Sequence, residues 1–93
     1  MLSKIPEDFK KLSKEDLDKE LLRLGIIAEL DAINLYEQFA SLANDSLIKK
    51  VFLDIAKEEK THVGEFQTLL LENDTEQVDE IEHAKKEIEE LRE

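Results

Sequence analysis

The sequence predicts an all-α protein: two long antiparallel helices and a shorter C-terminal helix, together half of a four-helix bundle that a second copy completes by dimerisation. Three observations carry this. Gly (2) and Pro (1) are scarce, while Leu, Ile, Ala, Glu and Lys dominate, a composition of helix formers. Apolar residues recur at three- and four-residue spacing instead of alternating, which is the helical period. Polar breaks with capping chemistry stand at two interior places, Asn44-Asp45-Ser46 and Glu72-Asn73-Asp74-Thr75, and divide the chain into three helical stretches. The 93 residues make one domain, 1–93, with a modest core of its own.

Residues 1–12 form a lead-in around Pro6, with at most a turn of helix after the proline. Ser13, followed by Asp16, is an N-cap with an acidic first turn. It opens a first helix over 14–43. The apolar residues of that helix fall in two series: Leu17, Leu21, Leu24, Ile27 and Ala28, and Leu22, Ile26, Ile33, Tyr36 and Ala40. Together they span a surface wider than one hairpin partner covers. A second long helix follows over 46–72, with Ile48, Phe52, Ile55, Phe66 and Leu69 expected on its inward face. Asp74 and Gln77 suit the start of a third helix over 75–92. Its narrow stripe of Val78, Ile81, Ala84, Ile88 and Leu91 reads as a docking face for a neighbour.

Composition removes several functions. There is no Cys, which excludes disulfides, thiolate ligands and iron–sulfur clusters. A net charge of −11 makes a poor ligand for nucleic acid or anionic membranes, and gathers cations instead. No apolar run is long enough for a signal peptide or a membrane span, so a cytoplasmic location is expected. There is no P-loop and no basic patch with aromatics. The two histidines, His62 and His83, do not assemble into a Ser/His/Asp or Cys/His nucleophile.

What stands out is acid where core is expected. Glu29 lies among Leu22, Ile26, Ile33 and Tyr36 on its helix face, and the run Glu59-Lys60-Thr61-His62 points a Glu and a His inward from the second helix. Residues three apart on a helix face the same way, one turn above the other. Burying a lone carboxylate costs several kcal/mol unless something compensates it, and a metal ion does so effectively. Carboxylate and imidazole ligands suit iron and manganese, with copper and zinc as competitors. In four-helix carboxylate-bridged bundles two helices each give a Glu and two each give Glu-x-x-His. This chain offers half of that set, with 29 residues between Glu29 and Glu59. Two chains paired on a twofold axis restore it, with one iron per chain. Taken singly, each piece has an ordinary reading: Glu-x-x-His arises by chance in Glu-rich helices, and a Glu on an apolar stripe is often a boundary residue. Tyr36, two turns from Glu29, either packs in the core with a satisfied hydroxyl or hydrogen-bonds a ligand carboxylate. Asp31, Glu58, Glu65 and His83 read as surface, Glu65 with the option of supporting a ligand.

The stretches Ile27-Ala28-Glu29-Leu30-Asp31-Ala32-Ile33-Asn34-Leu35-Tyr36-Glu37-Gln38 and Glu58-Glu59-Lys60-Thr61-His62-Val63-Gly64-Glu65-Phe66 resemble the encapsulated ferritins. These are the two-helix branch of the ferritin-like superfamily, and rubrerythrins are more distant relatives. The resemblance runs from about Leu21 to Val78. It implies a subunit inactive alone, a ferroxidase centre between paired subunits, an open decameric ring, and residence inside an encapsulin shell that stores the oxidised iron. Glu29, Glu59 and His62 match the ferroxidase ligands, Tyr36 a tyrosine beside them, and Asp31 an acidic position that guides iron inward. Ala28 stands where some members carry a second acid. The chain ends Ile88-Glu89-Glu90-Leu91-Arg92-Glu93, without the apolar, Gly-containing targeting peptide of cargo members. That fits a trimmed cargo protein, a domain fused to its shell protein, or one that works outside a shell. The competing expectations are a rubrerythrin-like peroxidase or manganese catalase on the same site, and a non-catalytic metal-binding helical assembly module.

Overall fold

The computed structural model describes residues 12–92. The lead-in read around Pro6 lies outside the described residues, apart from Leu12. Three helices follow one another: α1 Lys14–Leu42, α2 Ser46–Asn73 and α3 Thr75–Leu91. The described residues contain no strand.

Each helix begins where local chemistry dictates. The Ser13 side chain accepts the Asp16 N–H at 3.2 Å, and the Ser13 hydroxyl donates to the Asp16 carboxylate at 2.9 Å, a reciprocal capping arrangement. Asp45 Oδ2 accepts the Ile48 N–H at 3.0 Å, and Asp74 Oδ1 accepts the Gln77 N–H at 3.1 Å. Ala43, expected inside the first helix, is instead its extended C-cap, with its N–H on the Phe39 carbonyl.

α1 and α2 pack as an antiparallel hairpin. Its register sets Gly25 against Phe66, Glu29 against His62 and Phe39 against Phe52. Burial on α1 follows Leu22, Ile26, Glu29, Ile33, Tyr36 and Ala40; on α2 it follows Phe52, Ala56, Glu59, Val63, Phe66 and Leu70. Both series step alternately by four and three, the seam of two helices lying close to antiparallel. Ile48 and Leu69, expected on the inward face of α2, are about half exposed, at 51% and 47%. They stand to the side of the seam that Ala56 and Leu70 hold. At its surface the hairpin carries a Lys60–Glu37 pair at 3.6 Å, an exposed contact worth little.

The chain does not close around a core. Its radius of gyration is 17.0 Å, against about 12 Å for a compact domain of this length. The molecule measures 46 × 45 × 18 Å: a thin plate, with the hairpin along one edge and α3 carried sideways. The α3 backbone does not approach α1 among the described residues. Among the described residues the buried side chains are few and small to medium: Ile33, Ala40, Ala56 and Leu70. Leu21, Leu42, Leu47, Val51, Leu53, Ile88 and Leu91 remain exposed, an apolar surface large for a lone subunit. None of the described helices is long and apolar enough to cross a membrane.

Candidate metal centre

Glu29 and Glu59 occupy seam positions that a soluble hairpin fills with apolar residues. Their side chains are only 21% and 19% exposed. His62, one turn beyond Glu59, sits at the edge of the seam with 47% of its side chain exposed. The antiparallel register then brings the three side chains to one place.

His62 Nδ1 lies 3.4 Å from Glu59 Oε2 and 3.5 Å from Glu29 Oε2. One ligand atom from each residue falls within 4.8 Å of the others, and this is the group that the described residues form with a metal-binding donor set. The seam leaves the group electrostatically incomplete. A single Nδ1–H can serve only one carboxylate, and Glu59 is within its hydrogen-bond reach. Glu29 Oε2 is buried without a hydrogen-bond partner, a costly condition for a carboxylate oxygen. A divalent cation held by the three side chains answers both acids at once. Two carboxylates and an imidazole are a donor set for iron, manganese or zinc, so the residues present fit a bound metal. About half of the His62 side chain is exposed to solvent, which leaves a route for ions.

The other candidate residues lie elsewhere. The Tyr36 ring stacks on Phe52 at 6.2 Å between centroids and meets Phe39 edge-on at 6.0 Å, while Phe39 meets Phe52 at 5.4 Å. This aromatic cluster lies toward the turn end of the hairpin. Asp31 is half-buried on a different side of α1 from Glu29, with interactions of its own, and stands outside the three-residue group. Glu58 and Glu65 are exposed; Glu65 lines a shallow groove with Thr61, Gly64, Thr68 and Leu69. His83 is exposed on α3, bracketed by Glu80 at 3.3 Å and Glu87 at 3.2 Å.

Two supporting residues escaped the sequence reading. A Cβ on Gly25, one turn before Glu29, would stand 3.1 Å from the Phe66 ring, so the glycine lets the helices close just beside the acids. A lone glycine inside an apolar helical stripe is the signal for such an approach. Arg23 donates to Asp74 at 2.9 Å across 51 positions of sequence, a contact with no local signature.

A rubrerythrin family model matches residues 20–93. The chain is 56% identical over 82 residues to the ferritin-like–encapsulin shell fusion protein of Pyrococcus furiosus, covering 88% of this chain and 24% of that protein. It is 34% identical over 83 residues to the encapsulin nanocompartment cargo protein EncC of Myxococcus xanthus, covering 89% of this chain and 61% of that one. It thus spans about a quarter and about three fifths of these two relatives. Among solved structures it is similar to the encapsulated ferritin domain from Pyrococcus furiosus, with a TM-score of 0.82 and 46% identity over 98% of this chain and 88% of that one. By family match and fold together, the chain belongs to the rubrerythrin family of ferritin-like proteins, where its likeness is to the encapsulated ferritins.

Proposed function

We propose that this chain is half of a ferroxidase. Two copies pair so that their Glu29, Glu59 and His62 side chains face one another and bind two Fe(II) ions, which oxygen oxidises to Fe(III). The observation that carries this reading is the buried, unpartnered Glu29 oxygen beside Glu59 and His62. The group costs stability in a lone chain, and its ligand count is half of a di-iron set. The uncovered apolar surface supports pairing. The similar proteins, one a ferritin-like–encapsulin shell fusion and one an encapsulin cargo, support a place beside an encapsulin shell.

Iron is the substrate here, and the residues have separate tasks. Glu59 bridges the two ions; Glu29 caps each from the outer side; His62 supplies a ring nitrogen. Four carboxylates against two divalent ions balance charge, so binding needs no further counter-ion. Oxidation takes one electron from each iron, and the same carboxylates stabilise the added positive charge. Tyr36, two turns from Glu29 on the same helix, supports the site from within the aromatic cluster, and Asp31 with the acidic surface leads ions inward. The pairs assemble into a ring, a decamer, in the cytoplasm within an encapsulin compartment that stores the product. No further cofactor, nucleic acid or membrane takes part.

The test is a titration with Fe(II) under anaerobic conditions, then admission of air, with native mass recorded throughout. Saturation near about one iron per chain, a mass that is an even multiple of the chain, and rapid oxidation are expected. Binding that leaves both assembly and oxidation unchanged would return the chain to a structural helical module. A faster reaction with peroxide than with oxygen would point to rubrerythrin-like peroxidase chemistry.

A further inference from the structure

α2 ends at Asn73 and α3 begins at Thr75, so Asp74 alone makes the bend, at φ −141° and ψ 87°. Two soft dihedrals cannot by themselves hold a 17-residue helix in one direction. The α3 backbone makes no approach to α1 among the described residues, so tertiary packing supplies little restraint. Asp74, however, spends both carboxylate oxygens. Oδ1 accepts the Gln77 N–H and caps α3; Oδ2 accepts Arg23 Nη2 at 2.9 Å. The Asp74 side chain is 11% exposed, and Arg23 is steadied on its own helix by Glu20 at 3.4 Å. The contact is a single charge-assisted hydrogen bond, short and made to a nearly buried carboxylate. The same carboxylate is the first contact of α3. The chain Glu20–Arg23–Asp74–Gln77 therefore ties the first helical turn of α3 to the body of α1.

We infer that Arg23 is a positioning residue: through Asp74 it fixes the direction in which α3 leaves the hairpin, and so which face α3 offers to a second copy of the chain. The second clause rests on the reading that copies pair; the first does not. α3 carries Val78, Ile88 and Leu91 exposed, and a stripe aimed in many directions loses more entropy on docking than one already aimed.

The chain has no cysteine, so Asn34→Cys with Glu90→Cys gives two unique spin-label sites on α1 and α3. Labelled chains diluted in unlabelled protein report the distance within one subunit. Arg23→Met, which touches no cap, and Asp74→Asn, which keeps a capping oxygen, are each expected to broaden that distance distribution with helical content unchanged. Both are also expected to raise the protein concentration at half-assembly by about two- to fivefold; Arg23→Lys should recover part of either change. A narrow, unaltered distribution in both variants overturns the proposal. A distribution that broadens in a protein which never assembles upholds the clamp and refutes pairing instead.

Discussion

Glu29 and Glu59 stand where the seam steps of the two helices would place leucine or isoleucine, and the cost of that choice is measurable. Glu29→Gln keeps the shape of the side chain while removing a buried charge that lacks a hydrogen-bond partner. The metal-free protein should gain about 1 kcal/mol, because relief of charge burial outweighs the loss of a weak 3.5 Å attraction to His62. The same variant should lose the stabilisation that Fe(II) gives the parent, since one carboxylate ligand has become neutral. Urea unfolding with and without iron checks both halves. A variant less stable without metal would mean that Glu29 has a partner the reading lacks. The two glycines separate in the same assay. Gly64 has open space around its Cβ position, so Gly64→Ala should add about 0.8–1 kcal/mol of helix propensity to the chain. At Gly25 the new methyl meets Phe66 at 3.1 Å. The ring is half-buried and must move a few tenths of an ångström, so Gly25→Ala should gain distinctly less than Gly64→Ala. The acids were legible in the sequence because they break an apolar stripe. The aromatic setting of Tyr36 was legible only in part: Phe39 follows it by three residues on the same helix, but Phe52 reaches it only through the register of the folded hairpin.

Helix starts were written locally and helix directions were not. Ser13, Asp45 and Asp74 each cap within three residues of themselves, so the sequence alone placed them. The inward face of α2 was only partly legible, because apolar residues lie on several of its sides; Ala56 and Leu70 took the seam that Ile48 and Leu69 were expected to share. The 51-position reach from Arg23 to Asp74 could not be read from any local pattern. The caps differ in what depends on them. Asp45→Ala should cost about 1 kcal/mol, the ordinary price of a lost N-cap, because its side chain bonds only Ile48 within the hairpin turn. Asp74→Ala should cost more, since it also strips Arg23 of its interhelical acceptor. Thermal melts of the two variants at one protein concentration test that order, and equal losses would refute it. Among the ion pairs of α3, one shows a clear pH-sensitive effect on its carboxylate. Lys85 donates a 2.8 Å hydrogen bond to Glu82 and its charge adds to the effect, holding that carboxyl below its ordinary value of 4.5. A lowered acid stabilises the fold above its unfolded value and loses that contribution as the pH falls through the lowered folded one. Glu82 is fully exposed, so the expected signature is a slight acid loss of α3 helicity that Lys85→Met removes.

At the scale of the whole molecule, thinness and chemistry point the same way. A plate 18 Å thick is about two helix diameters at most, and such a hairpin covers its seam carboxylates incompletely: the Glu29 and Glu59 side chains stay 21% and 19% exposed. Leu42 and Leu91 are 77% and 84% exposed, so apolar surface awaits cover at both the turn of the hairpin and the far end of α3. On the proposed pairing a second copy would supply the cover and the remaining ligands together, and this makes a quantitative demand on mixtures. Glu59→Gln keeps side-chain volume and should leave pairing largely intact, while its neutral amide is a poor bridge between two cations. If each site needs Glu59 from both chains, a mixed pair is inactive, and oxidation per chain falls as the square of the unmutated fraction. Co-refolded in equal parts, the mixture should retain about one quarter of the parental rate. A site held within one chain would retain about one half, because each unmutated subunit would work alone. The readout is the initial rate of ferric absorbance after air is admitted, across the full range of mixing ratios. A straight line would rule out the shared site, and a curve bending below it would require that both copies supply the bridging acid.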